Sequence, residues 1–292
     1  ECARVARGDF GGRPSEVTRE PVSADAIFES AKRSDVPSDL VAALEHRAFA
    51  YHLGRQLGWG LPRATLVESA EEAAAWCQEL GGSWVAKHPY SAAGRQRVFG
   101  RGAPKGEQRR QMVKLLASGK VLLLEPWCHR LADYGLCGVV GEEDPWLVGL
   151  HRQLIDPLGA FRGVRVGGED LPAPVSRELL RIGAALTEGL RAVGFRGAYS
   201  VDAMCIDDGG EETLVPMVEI NARCSFGLLA HVGARRLREG SPSLTCWELH
   251  LGASPPLCSA QGALVEALSP APPDGVGAWL LGESHEQGIK NA

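Results

Sequence analysis

The sequence predicts an α+β protein of two units, the second rich in hairpin-joined strands. A chain of 292 residues is long enough for two packed units, and its 45% hydrophobic and 23% charged residues are those of an ordinary globular protein. In the first half, segments of helical period alternate with short apolar runs of strand length. In the second half, strand-like runs are joined by turn chemistry, Asp156-Pro157-Leu158-Gly159 and Asp207-Asp208-Gly209-Gly210, that is short enough for hairpins.

Residues 1–39 are poor in apolar periodicity and rich in Gly, Pro, Ser and charge, so an extended lead-in or the remnant of a preceding domain is expected there. The chain opens on Glu1 rather than Met, as a processed product or part of a longer polypeptide would. Val41, Leu44, Ala48, Phe49, Leu53 and Leu57 recur at helical spacing and predict one helix, ended by Gly58. Leu61-Pro62 restarts an extended segment through Val67. Ser69 followed by Glu72 forms a capping-box pattern that opens a helix to Leu80, and Gly81-Gly82 closes it. A strand at Trp84–Lys87, a small-residue loop Ser91-Ala92-Ala93-Gly94, a short strand near Arg97–Phe99, a helix over 107–117 and an apolar strand Val121–Glu125 complete a smaller unit, residues 40–126.

The larger unit, residues 127–251, contains paired strands around Trp146–Leu154 and Phe161–Val166 and a long amphipathic helix from Pro174 to Val193. A hairpin starting at Ala198 follows, then a helix over Leu228–Glu239 and a helical or irregular stretch at Leu244–Leu251. Residues 252–292 form a Pro- and Gly-rich tail. Its apolar run Val276–Leu281 is expected as a terminal edge strand or a dimer contact, which is compatible with a homodimer.

Net charge of −5 leaves no electrostatic footprint for nucleic acid. Basic residues gather at Arg95, Arg97, Arg101, Lys105, Arg109 and Arg110, and again at Arg152, Arg162 and Arg165. These clusters suit a small polyanion or plain solvated surface. The eight cysteines include no Cys-x-x-Cys pair, so free thiols in a reducing, cytoplasmic setting are expected. No apolar run is long enough to cross a bilayer, and the N-terminus carries no hydrophobic signal core.

Chemistry concentrates in the hairpin. Glu219 and Asn221 are two apart on a strand and share a face, and a hairpin folded about Gly210-Glu211 sets Asp202 opposite Glu219. Facing carboxylates repel unless a cation lies between them. Two carboxylates and an amide oxygen are hard ligands of the kind magnesium accepts beside phosphates, and manganese could take its place. A solvated acidic hairpin is the competing reading. Lys87 ends an apolar strand before the Ser91–Gly94 loop, whose backbone amides could cradle phosphate oxygens, although a strand-end lysine also snorkels without function. No Gly-x-x-x-x-Gly-Lys-Ser/Thr loop occurs, and Val85-Ala86-Lys87 lacks the catalytic loops a protein kinase needs.

Taken in order, Arg47 on a helix, Lys87 on a strand, the small-residue loop, Glu125-Pro126-Trp127, Asp202 and Glu219-Ile220-Asn221 resemble the ATP-grasp superfamily over residues 41–240. The resemblance implies two α+β subdomains clamping ATP between antiparallel sheets. Lys87, with Arg47, Ser91 and Gly94, would hold the nucleotide; Glu125, Pro126 and Trp127 would meet the adenine, and Asp133 the ribose. Asp202, Glu219 and Asn221 would carry two magnesium ions, with Arg223, Arg152 and Arg165 as catalytic cations. The implied reaction joins a small-molecule or peptide carboxylate to an amine through an acyl phosphate, releasing ADP and phosphate. A phosphotransferase on the same clamp and a non-catalytic ATP-binding module are the alternatives. Arg47 and Ser200 stand where many members have lysine and some have arginine. The preceding substrate domain usual in the family is either missing from this chain or supplied by another subunit. Tyr134, Arg152, His151, Phe226 and His231 are candidates for the acceptor pocket.

Overall fold

The computed structural model describes residue 27 and residues 36–90, 96–141, 145–156, 159–167, 171–240, 246–252, 264–269 and 277–283. The expected lead-in at 1–39 and the Ser91–Gly94 loop therefore lie largely or wholly outside the described residues. Where one helix was expected from Val41, there are two, α1 (Ser38–Glu45) and α2 (Arg47–Leu57). His46 separates them in an extended conformation, φ −71° and ψ 125°, and its Nδ1 accepts from the Ala48 amide at 3.1 Å. An imidazole acting as an N-cap is invisible to apolar periodicity, which runs unbroken through the junction. Gly58 ends α2 at φ 71°, as expected.

The smaller sheet runs β1-β4-β2-β3, from β1 (Thr65–Val67), β2 (Ser83–Lys87), β3 (Arg97–Arg101) and β4 (Leu122–Pro126). Helices α3 (Ala70–Leu80) and α4 (Gly106–Gly119) cover one face. The Ser69 hydroxyl caps α3 by accepting from the Glu72 amide at 3.1 Å, while the Glu72 carboxylate reaches past Ser69 to the Glu68 amide. Trp84, Ala86, Leu122 and Leu124 join Ala73, Cys77 and Met112 in the core beneath those helices. Strand alternation then turns Val85 and Lys87 to the opposite face, away from those helices.

The larger sheet runs β11-β12-β10-β7-β6-β5-β8-β9. Its members are β5 (His129–Val140), β6 (Pro145–Ile155), β7 (Phe161–Gly167), β8 (Gly197–Asp208), β9 (Glu211–Asn221), β10 (Cys246–Gly252), β11 (Leu264–Ser269) and β12 (Gly277–Glu283). One face packs against α1, α2 and the twenty-residue α5 (Ala173–Ala192), with Leu44, Phe49, Leu53, Leu136, Ile182, Leu186, Tyr199 and Val201 in one core. Helix α6 (Phe226–Gly240) covers part of the other face through Leu228 and Val232 against Cys137, Val139 and Ala198. The remainder of that face looks toward the smaller sheet.

Two expectations fail toward the C-terminus. Leu244–Leu251 contains a strand, β10, that pairs with β7 and β12. Within the run expected as a terminal edge strand, residues 277–281 lie in β12, flanked on both sides by β10 and β11. These strands form by pairing with distant partners, so Pro and Gly between them say little about where each one docks. Cys77, Cys128, Cys137, Cys205 and Cys224 are free thiols, and no described helix is long and apolar enough to cross a membrane.

Candidate active site

The β8–β9 hairpin turns at Gly209-Gly210, with φ 69° and 96°, not about Gly210-Glu211. Continued regularly, that turn would pair Asp202 with Met217. Instead the register shifts between Met204↔Val215 and Asp202↔Glu219, so residues 216–218 oppose Ala203 alone. The two extra residues preserve the alternation of faces beyond the bulge while Met217 turns into the core. Pro216, which has no amide to pair, lies in this irregularity on the edge strand, and the Met217 amide donates to Trp59 O at 3.2 Å. Asp202 thus faces Glu219, and Ser200 faces Asn221, as the expected register requires.

Each of the three oxygen ligands expected for a metal accepts a hydrogen bond from within the chain. Gln153 Nε2 donates to Asp202 Oδ1 at 2.7 Å, Arg47 Nη1 pairs with Glu219 Oε1 at 2.8 Å, and Arg223 Nη2 donates to Asn221 Oδ1 at 2.9 Å. Burial, and then the charge of Glu219, push the Asp202 carboxyl up to about 7 despite the Gln153 bond and nearby Arg47. Among the described residues no three His, Cys, Asp or Glu side chains converge. A cation would rest on two carboxylates and an amide, a sparse hard-oxygen set that fits magnesium retaining positions for phosphate and water.

These groups line a cleft of ≈ 380 Å³ between the two sheets. Lys87 and Arg97 enter from the smaller sheet; Asp133, Gln153, Asp202, Met204, Glu219 and Asn221 from the larger; Phe226, Gly227 and Leu229 from α6. Lys87 is ion-paired to buried Glu125, which stands diagonally across from it on β4. Glu125 lies behind that lysine and, like Pro126 and Trp127, does not line the cleft. Trp127 instead packs edge-on to Phe99 with Arg130 over its ring. Arg130 also pairs with Asp133 at 3.1 Å, while burial pushes the Asp133 carboxyl above the usual carboxylate range. Arg223 lines the cleft and also pairs with Glu45 of α1.

Arg152 and Arg165 are not brought to this site. They stand opposite one another on β6 and β7, in register with Tyr134, whose buried ring packs against Val175 and Leu179 of α5. Alternation places His151 and Gln153 on the cleft face and therefore Arg152 on the other. A basic cluster in sequence carries no such facing information until the strand is in register. Gln153, Arg97, Arg130 and Met204 are cleft residues that motif order did not single out. Gln153 meets Asp202 across the intervening β5, a juxtaposition with no local signal.

At the α6 end, His151 and His231 meet edge-on with ring centroids 5.5 Å apart. Both are buried, and His151 Nδ1 and His231 Nε2 find no partner among the described residues. Burial pushes His151 down to about 4 and lowers His231 as well, so both are neutral at pH 7. Glycines make the space: a Cβ on Gly135 would stand 2.0 Å from His151 Nε2, and one on Gly227 2.3 Å from His151 Cε1. His151 lines the cleft, and Phe226 stacks on Phe161 at its mouth, whereas Tyr134 stays in the α5 core.

No family model and no curated protein matches the sequence. Solved structures match the fold. The biotin carboxylase domain of 2-oxoglutarate carboxylase from Hydrogenobacter thermophilus, in complex with MgADP, ADP and bicarbonate, is 13% identical with a TM-score of 0.59, covering 82% of this chain and 62% of that one. Biotin carboxylase from Campylobacter jejuni, in a β,γ-ATP complex, is 12% identical with a TM-score of 0.59, over 84% and 64%. N5-carboxyaminoimidazole ribonucleotide synthetase from Thermus thermophilus is 16% identical with a TM-score of 0.55, over 91% and 76%. The chain spans less than two thirds of the first two, and at such identities the likeness is one of fold.

Proposed function

We propose that this chain, which has the ATP-grasp fold, binds ATP with magnesium in the inter-sheet cleft and joins a carboxylate to an amine through an acyl phosphate. The observation that carries this reading is the facing Asp202–Glu219 pair, with Asn221 beside it, at the base of a cleft ringed by Lys87, Arg47 and Arg223. A carboxylate is a poor electrophile; taking the γ-phosphoryl group converts it to an acyl phosphate, and the amine then displaces phosphate. Asp202, Glu219 and Asn221 would hold magnesium, which neutralises phosphate charge and polarises the transferred group.

The side chains supply positioning and charge. Phosphoryl transfer needs little covalent help, so cations fixed around the phosphates carry much of the work. Lys87 is held by Glu125, Arg223 by Glu45 and Asn221, and Arg47 by Glu219, so each enters the cleft in a defined orientation. Arg97, anchored on Gly159 O at 3.3 Å, adds a fourth cation from the smaller sheet. Ile155, Phe161, Phe226 and Leu229 give the cleft an apolar wall, which limits the water that would hydrolyse an acyl phosphate. Arg223 is the catalytic cation that fits this geometry, while Arg152 and Arg165 lie on the far face of the sheet. Asp133, paired with Arg130 in the cleft lining, would meet the ribose.

ADP production, followed over a matrix of amino acids, peptides and carboxylic acids with mass spectrometry of the product, tests the reaction. Release that needs an acid and an amine together supports ligation. Release driven by an alcohol alone assigns a phosphotransferase, and nucleotide binding without turnover under any pairing assigns a binding module.

A further inference from the structure

We infer that Arg47 serves as an exchangeable internal cation, which occupies Glu219 until a nucleotide draws it away and so makes metal binding conditional on nucleotide. The inference rests on the metal–nucleotide reading of the cleft and adds an order of events to it. Every prospective ligand already accepts from a donor among the described residues; of the two facing carboxylates, Glu219 is met by a charged donor and Asp202 by a neutral one. Gln153 supplies an amide dipole to Asp202, whereas Arg47 supplies a full positive charge between strands that would otherwise set two carboxylates face to face.

Arg47 is held for this role. It is the first residue of α2, set by the extended His46 that splits the expected helix, and its own amide donates to Pro89 O at 3.1 Å. Its side chain is 8% exposed against 22% for Glu219, so the pair is poorly screened by water. A divalent ion arriving alone must take a Glu219 oxygen from the guanidinium and leave two cationic centres side by side in the cleft. A polyphosphate arriving with the metal reverses that cost. Its oxygens accept the guanidinium fork while the metal takes Glu219, and the charges stay balanced throughout.

Binding of Mn2+, read from loss of the free-ion signal in electron paramagnetic resonance, tests this without reference to turnover. In the wild type, Mn2+ alone should bind weakly and ADP should raise its affinity strongly. Arg47→Gln should bind Mn2+ alone about tenfold more tightly, as release of a charge-assisted hydrogen bond from Glu219 predicts, and should gain less from ADP. Arg47→Lys, which keeps a cation beside Glu219, should stay within about threefold of wild type, on the scale of a small change in pair geometry. Should the glutamine variant not fold by circular dichroism, Arg47→Met repeats the test with the aliphatic stem retained. Unchanged or weaker binding of Mn2+ alone in either folded neutral variant overturns the inference while leaving the site reading intact. Failure of the wild type to bind Mn2+ even with ADP overturns both.

Discussion

Replacing Asp202 by Asn should stabilise the protein in the absence of metal while removing its capacity to bind Mn2+ with ADP. Burial and the facing Glu219 raise the Asp202 carboxyl from its ordinary 3.8 to about 7. An acid whose pKa is higher folded than unfolded favours folding when protonated, so stability falls as pH rises through the interval between those values. At ~1.36 kcal/mol per pH unit, that interval sets a ceiling of about 4 kcal/mol on the cost at pH 8. Asparagine is isosteric and uncharged, and its Oδ1 can still accept from Gln153 Nε2, now at 2.7 Å from the carboxylate. Urea denaturation at pH 8 with EDTA should therefore show a gain of about 2–4 kcal/mol, shrinking as pH falls toward 4 where wild-type Asp202 is protonated. Equal or lower stability at pH 8, or a difference independent of pH, would refute the claim that the hairpin stores electrostatic repulsion for a cation.

The buried imidazole of His151 has the opposite sign. With a folded value of about 4 against 6.5 unfolded, its contribution is complete above pH 6.5 and is lost as pH falls toward 4, by up to about 3 kcal/mol. Urea titrations in the Asp202→Asn background, where the contrary trend is removed, should expose that loss, and adding His151→Gln should flatten it. Gly135→Ala would drive a Cβ to 2.0 Å from His151 Nε2 and should lower stability by about 1–3 kcal/mol, read from urea denaturation at pH 7.5. Arg152→Ala, on the far face, should leave the Kd for ADP with Mn2+ within about twofold, whereas Arg223→Ala should weaken it about tenfold or more by losing a charged contact. Equal effects would contradict the facing of β6.

Legibility in the sequence followed how local each signal is. The caps at Ser69, Gly58 and Gly81 are contained within a few residues, and the structure has each of them. Lys87 was readable as a cleft residue because alternation along a five-residue strand sends it opposite to buried Trp84 and Ala86. The break at His46 was not, because apolar spacing continues across it and only a side-chain cap marks it. Facing of Arg152 and Arg165 depends on the register of β6 with β5 and β7, where each pairing carries its own irregularity. The order β11-β12-β10 is likewise set by pairing between segments distant in sequence, so a strand with plausible composition could be recognised without its position in the sheet.

The hairpin shows how a correct contact can follow from an incorrect turn. Folding about Gly210-Glu211 predicts Asp202 opposite Glu219; the chain turns one residue earlier and regains the same pairing through the excess at 216–218. A single extra residue would have reversed the faces beyond the bulge, carrying Glu219 toward the core that Met217 and Ile220 occupy. Two restore them. Pro216 was the available sign, since a proline inside a strand belongs at an edge or in a bulge, and β9 supplies both. The carboxylate pair is therefore a product of the irregularity as much as of the strands. Deleting Pro216 alone should break the parity that the facing carboxylates need, and a variant that remains folded should lose Mn2+ binding in the presence of ADP; retention of that binding would show that the register is restored by some route other than this bulge.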